Sequence, residues 1–265
     1  MEQHIVIYFQ SSSNAAQACA AQIFHARTGG LLHRLGTPAQ SSDQDCDAEQ
    51  HAGFPLDEMY CEMMTSRRGG IFDVPHEHCA AITTFIRSRI GVLKELKAAI
   101  VCVSADTDSQ TQARSAIETL LSAGLAAKQL HLMFTAPADD QAFEEAYAAI
   151  LQFADQAQIV VPRNAVLPAP AVFEKAHQLQ LPIAAVLNGA RDFDAELVAG
   201  RFNDAPKTAL LALAHRAIAQ RELLSLGEAL ERVGAALALT RITAEEWKAE
   251  NPALGSRKRM RQVAH

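Results

Sequence analysis

Short apolar runs alternate along this chain with longer segments of helical periodicity, and this alternation limits the folds that the chain can adopt. The runs HIVIYF (4–9), GIFDV (70–74) and AAIVCVS (98–104) have the length and continuous hydrophobicity of strands buried on both faces. A helical pattern follows each run, as in βαβ units. We therefore predict an α/β fold with a doubly wound, mostly parallel sheet of about seven strands and helices on both faces.

The remaining elements follow from the same patterns. Further strands are predicted over 31–35, 129–135, 159–162 and 182–187, and helices over 15–26, 56–66, 79–97, 109–123, 140–154 and 169–179. Residues 37–55 are polar and rich in turn formers, which predicts a loop. Residues 205–239 predict one long amphipathic helix, or two with a break near Gly227.

These patterns suggest three parts of the chain: an α/β domain over 1–200, C-terminal helices over 201–250 packed on it, and a basic tail over 251–265, expected to be disordered. The five cysteines form no CxxC pair, which favours free thiols in a reducing compartment. No signal-like segment opens the sequence, and no apolar stretch approaches the roughly 20 residues of a membrane span. We therefore expect a cytoplasmic protein with no membrane contact.

The turn after the first strand is where an anion binds in such folds, because free backbone N–H groups and the helix dipole point there. A P-loop that hydrolyses ATP uses glycines for close backbone approach, a lysine for the phosphates and Ser or Thr for Mg²⁺. This loop has neither glycine nor lysine, the first lysine of the chain is Lys94, and a guanidinium from Arg67 or Arg68 is no equivalent. We therefore expect no ATPase activity. The loop residues are Gln10, Ser11, Ser12, Ser13, Asn14, Ala15, Ala16 and Gln17.

Asp73 ends the GIFDV run, just before Pro75. A carboxylate at this edge of a parallel sheet is placed to contact a metal-bound water. The alternative is that Asp73 caps the turn or helix that follows.

The order of first strand, altered loop, helix and a strand ending in IFDVP (71–75) resembles the ParA/MinD group of P-loop ATPases, and within it the StbB-type plasmid stability proteins. The resemblance covers about residues 70–239 and includes DTDSQTQARSAIETLLSAGLAAKQLHLMF (106–134) and IVVPRNAVL (159–167). It implies a P-loop NTPase-like fold in which Asp73 and Pro75 belong to the second acidic motif.

Two parts of the nucleotide site depart from that family. Active members carry glycine and lysine in the loop, and an Asn contacts the base where this chain has Phe134 and Thr135. The resemblance therefore implies a relative without ATP hydrolysis, acting as a binding or scaffold component in plasmid stability, partition or conjugative transfer. Its partners would be proteins of such a maintenance or transfer system, and no cofactor is expected.

Two other interpretations of the serine-rich loop remain open. It also resembles the phosphate-binding loop of flavodoxin-like proteins, in which residues 11–14 would hold FMN or another nucleotide without a lysine. Against this, aromatic residues that could sandwich a flavin are scarce, with one Trp and three Tyr. The serines could instead simply cap the first helix.

Three further groups of residues suggest binding surfaces. His76, His78 and Cys79 are close in sequence, but adjacent side chains at a strand-to-helix junction diverge, so we expect no metal site. The apolar stripe over 210–239 predicts core packing or a homodimer interface. Four positive charges near the C-terminus suit either contact with nucleic-acid phosphates or a solvated tail. These four are Arg257, Lys258, Arg259 and Arg261.

Overall fold

A computed structural model describes residues 4–12, 15–35, 49–50, 56–89, 91–137, 142–168 and 171–251. Ser13 and Asn14 of the predicted phosphate loop lie outside these ranges. So do the four basic residues of the tail and most of the predicted loop over 37–55. Within the described part of the chain, no helix is both long enough and apolar enough to cross a membrane.

The described strands form one sheet in which every neighbouring pair is parallel, in the order β3-β2-β4-β1-β5-β6-β7. The predicted α/β class with a parallel sheet is confirmed. The strands are β1 (His4–Gln10), β2 (Leu31–Arg34), β3 (Glu49–Gln50), β4 (Gly69–Val74), β5 (Leu96–Val103), β6 (Leu130–Thr135) and β7 (Val166–Leu167).

Helices connect the strands and continue beyond the sheet. Short 3₁₀ turns lie at His76–His78 and Ala127–Gln129. The first helices are α1 (Ala15–Thr28), α2 (Leu56–Thr65), α3 (Cys79–Ser88), α4 (Val92–Glu95), α5 (Thr107–Ser122), α6 (Phe143–Ala146) and α7 (Ala148–Gln156). They are followed by α8 (Ala171–Gln178), α9 (Ile183–Leu187), α10 (Phe193–Phe202), α11 (Lys207–Ser225), α12 (Gly227–Ala236) and α13 (Ala244–Glu250).

Strand β1 is buried on both of its faces because successive side chains of a strand point in opposite directions. Val6 and Tyr8 pack into a core shared with α1, α8, α9, α11 and α12. Ile5, Ile7 and Phe9 pack into a second core with α2, α3, α5 and α7. The continuous hydrophobicity of the first run is thus explained by burial between two layers of helices.

The C-terminal helices belong to the core on the α1 side of the sheet. Helix α11 ends at Ser225 and α12 begins at Gly227, so the predicted break is confirmed. Arg27 of α1 donates to the carbonyl of Leu239 (2.9 Å) and pairs with Glu231 (2.5 Å). Trp247 of α13 is fully buried and anchors this short helix to the core.

Two of the predicted strands are wrong. Residues 159–162 form no strand, and Val160 is 77% exposed rather than buried in the sheet. The predicted strand over 182–187 is helix α9, whose first four residues are buried beneath α1. A short buried apolar run has the same composition in either structure, and Pro182 suits a helix start equally well.

Some predicted boundaries are also wrong. The helix predicted over 79–97 ends at Ser88, because Arg89 is extended, and the short helix α4 follows before β5 begins at Leu96. The helix predicted over 140–154 is divided into α6 and α7 at Tyr147. Within the predicted loop over 37–55, Glu49–Gln50 forms the edge strand β3.

Candidate functional site

The candidate site lies where the carboxyl ends of β1, β4 and β5 meet. Helix α1 leaves β1 toward one face of the sheet, whereas α3 and α5 cover the other face. The direction in which strands are added to the sheet therefore reverses beside β1. Ligands of open α/β sheets bind in the crevice at such a switch point, outside the carboxyl ends of the strands.

Gln17 of α1 folds its side chain back into the loop that follows β1. The backbone N–H of Ser12 donates to its carboxamide oxygen (3.0 Å). The Gln17 amide nitrogen donates to the hydroxyls of Ser11 (3.2 Å) and Ser104 (3.0 Å). The Gln17 side chain is completely buried. A carboxamide oxygen thus occupies the position at which a bound phosphate would accept from the Ser12 N–H.

A second set of hydrogen bonds closes the same loop against the turn after β5. The hydroxyls of Ser11 and Ser109 are 2.5 Å apart, and the Ser109 hydroxyl accepts from the N–H of Ser104 (2.8 Å). The Ser109 N–H donates to the carboxylate of Asp106, which caps α5 (2.7 Å). The Ser11 hydroxyl therefore contacts both the Gln17 side chain of α1 and the Ser109 side chain of α5.

Asp73 is held by two side chains in the same crevice. Gln10 donates to one carboxylate oxygen (2.5 Å), and Arg34 at the end of β2 lies 3.4 Å from the other. Burial raises the pKa of Asp73 to about 6, although the Arg34 charge and the Gln10 hydrogen bond act in the opposite direction. The expectation that Asp73 caps the next turn is wrong, because Pro75 occupies that position and provides no side-chain hydrogen bond.

A small cavity opens beside the loop, between α3 and α5. Its volume is about 120 Å³, well below the roughly 300–1,000 Å³ of most ligand sites. The buried carbonyl oxygen of Gln112 faces no hydrogen-bond partner among the described residues. Neither lysine nor arginine contributes to the lining, so the cavity offers no fixed positive charge to a phosphate. The lining residues are Phe9, Gln10, Ser11, His76, Cys79, Val101, Gln112, Ser115 and Ala116.

Phe134 and Thr135, at the predicted base-contacting position, are both buried at the end of β6. The Phe134 ring packs edge-on against Phe143 and Tyr147, with centroids 4.9 and 4.7 Å away. The Thr135 carbonyl accepts from the Tyr147 hydroxyl (2.5 Å). Both residues therefore contribute to packing between β6 and the α6–α7 segment.

The predicted metal candidates do not converge. His76 lies 3.1 Å from the Glu77 carboxylate, and Cys79 lines the small cavity. In the described ranges, His, Cys, Asp and Glu form no group of three or more that could hold a metal ion.

Sequence reasoning identified Gln10, Ser11 and Gln17 but missed Ser104, Ser109 and Arg34. Arg68, considered as a substitute cation, precedes β4 at the opposite edge of the sheet and pairs there with Glu250 (2.9 Å). The missed residues could have been found among the polar residues that follow the buried strands, because parallel strands bring their carboxyl ends to one edge of the sheet.

No protein-family model matches this chain, and no curated protein matches it either.

We predict that Gln17→Ala lowers the free energy of unfolding by about 2–3 kcal/mol, because it removes three buried hydrogen bonds of the loop. Urea unfolding followed by circular dichroism measures the change. The matched control is Gln112→Ala, which removes a side chain whose carbonyl oxygen has no partner in the described structure and should cost less than about 1 kcal/mol. Equal losses in the two variants would contradict the assigned role of Gln17.

We also predict that Asp73 makes the protein less stable as the pH rises from about 4 to 6. Its pKa is about 6 in the folded chain against a usual 3.8, so in this window the folded state retains a proton that the unfolded state has released. The loss is about 2–3 kcal/mol. Asp73→Asn removes this ionisation. Relative to Asp73→Asn, the parent should therefore be more stable at pH 4 than at pH 7, by that amount.

Urea unfolding of parent and variant at both pH values tests this second prediction. The control is Asp155→Asn, which replaces an exposed carboxylate and should leave the pH dependence of the parent unchanged. The same pH dependence in the parent and in Asp73→Asn would show that the burial of Asp73 has no energetic effect.

Proposed function

We propose that this chain is a non-hydrolysing relative of the ParA/MinD group, similar to StbB-type plasmid stability proteins. It would act in the cytoplasm as a binding or scaffold component of plasmid stability, partition or conjugative transfer. The phosphate site would be replaced by hydrogen bonds within the protein, and the function would depend on protein and DNA partners.

The observation that carries the proposal is the position of the Gln17 carboxamide. Its oxygen accepts from the Ser12 N–H, while its nitrogen joins the ends of β1 and β5 through two serine hydroxyls. A nucleotide phosphate would have to displace this buried side chain and separate the Ser11–Ser109 pair. It would gain no lysine in return, since the chain has none before Lys94. These costs and the missing charge support loss of nucleotide binding as well as hydrolysis.

The placement of β4 also supports this relationship. The strand that ends in IFDVP is hydrogen-bonded directly to β1, and its Asp73 contacts Gln10 at the start of the loop. In flavodoxin the strand order is 2-1-3-4-5, so the second strand lies beside the first. Here β4 separates β2 from β1, which argues against the FMN-binding alternative.

We expect that titrating the purified protein with ATP or ADP and Mg²⁺ produces no binding heat and no change in melting temperature. A ligand at about 100 times its dissociation constant would stabilise the native state by about 2.7 kcal/mol, which is readily detected. The same titration of Gln17→Ala tests whether the loop after β1 binds phosphate once the Gln17 side chain is removed. Micromolar binding of ATP to the parent chain would overturn the proposal, and a yellow purified protein would favour the flavin alternative.

For the proposed DNA contact, we predict salt-sensitive binding that weakens when residues 256–265 are removed. The segment carries four arginine or lysine residues, so full engagement would change the slope of log K against log salt by up to about 4. Fluorescence anisotropy with duplex DNA at several salt concentrations measures the slope. Replacing Arg257, Lys258, Arg259 and Arg261 with Gln is the length-matched control and should reproduce the truncation. An unchanged slope in both variants would exclude the tail from DNA binding.

A further inference from the structure

The outward face of α11 carries apolar side chains that no described part of the chain covers. Leu211 is 56% exposed and Ile218 is 49% exposed. His215 lies between them, and Lys207 and Glu222 lie beyond them at the two ends. Successive members of this set are three or four residues apart, so all five lie on one side of the helix. We call these five residues the α11 face.

Four of the five residues of the α11 face lie in two pairs that are symmetric about one point of the helix. Leu211 and Ile218 lie at equal distances on either side of the midpoint between residues 214 and 215, and so do Lys207 and Glu222. A two-fold axis through this midpoint would pair two α11 helices in antiparallel orientation. Leu211 would then lie opposite the partner subunit's Ile218, and Lys207 opposite the partner subunit's Glu222. Apolar groups would meet apolar groups, and each cation would meet an anion.

The neighbouring helix extends the exposed apolar surface. Helix α10 runs antiparallel to α11, with Asp194 paired to Arg221 at one end and Gly200 packed near Leu210 at the other. Val198 and Phe202 of α10 are 50% and 84% exposed. Exposed apolar groups on two adjacent helices are typical of a surface that forms an interface.

We propose that the α11 face binds the α11 face of a second copy of this chain, forming a symmetric antiparallel dimer. Lys207 and Glu222 favour a second α11 as the binding partner, because an identical antiparallel helix places a glutamate opposite the lysine and a lysine opposite the glutamate. Glu222 already pairs with Lys175 (2.8 Å), and both groups are exposed, so a second cation can approach it from solvent. Among the described residues, Lys207 forms no ion pair of its own.

This dimer goes beyond the proposed function, because it requires neither a nucleotide nor the loop that follows β1. Helix α11 contributes to the core on the α1 side of the sheet, whereas the Gln17 network lies at the carboxyl edge of the strands. Failure of one proposal therefore leaves the other untouched.

Sedimentation equilibrium without nucleotide tests the dimer. We expect the parent chain to have twice the monomer mass of 28.6 kDa, and Ile218→Glu to be monomeric because it places a buried charge opposite the partner's Leu211. The matched control is Val160→Glu, which changes an exposed β-branched side chain outside α10 and α11 and should remain dimeric. A parent chain that is monomeric up to about 100 µM would overturn the proposal, as would an Ile218→Glu variant that remains dimeric.

Charge reversal tests the orientation of the two helices. Glu222→Lys should weaken the dimer about tenfold, because each of two symmetry-related attractions becomes a repulsion. Adding Lys207→Glu to the same chain exchanges the two charges and should restore the affinity. A double variant no tighter than Glu222→Lys would exclude the antiparallel arrangement. All of these positions are exposed or half-buried, and circular dichroism verifies that each variant remains folded.

Discussion

The burial of β1 between two layers of helices is the constraint on which the rest of the molecule depends. Its side chains alternate between the core shared with α1 and the core shared with α3 and α5. With both faces covered, water is excluded from the strand and from the polar groups at its carboxyl end. Any N–H, hydroxyl or carboxylate placed there must find a partner within the protein or in a ligand, since an unpaired buried group costs about 1–3 kcal/mol.

This chain meets much of that requirement with its own side chains, although the buried Ser12 hydroxyl has no hydrogen-bond partner among the described residues. Gln17, Ser104 and Ser109 satisfy the loop after β1, and Gln10 with Arg34 satisfies Asp73. In a protein that binds a nucleotide at such a crevice, phosphate oxygens and a metal ion would supply many of these partners. The network therefore stabilises the crevice at the switch point without a bound anion. Conversely, binding an anion there would require several of these hydrogen bonds to be broken first.

Among the C-terminal helices, α11 is buried on one side and exposed on the other. One side of α11 packs into the core through Ala217 and Leu223, and the opposite side exposes Leu211 and Ile218. A helix that is apolar on both sides is ordinarily covered on both sides. Lys207 and Glu222 carry opposite charges at symmetric positions of the α11 face. This arrangement favours an identical helix as the partner that covers Leu211 and Ile218.

The sequence alone determined the α/β class, the core strands β1, β4, β5 and β6, and the absence of lysine and glycine from the first loop. Strong hydrophobic periodicity and residue chemistry are local properties that need no knowledge of neighbours. Only the tertiary structure decided that 182–187 is a helix, because a short buried apolar run is compatible with either structure. It also decided which groups meet at the carboxyl edge. Ser109 lies 98 residues from Ser11 along the chain, and Asp73 lies 63 residues from Gln10. Such pairings arise from the order of the strands in the sheet, which no local pattern encodes.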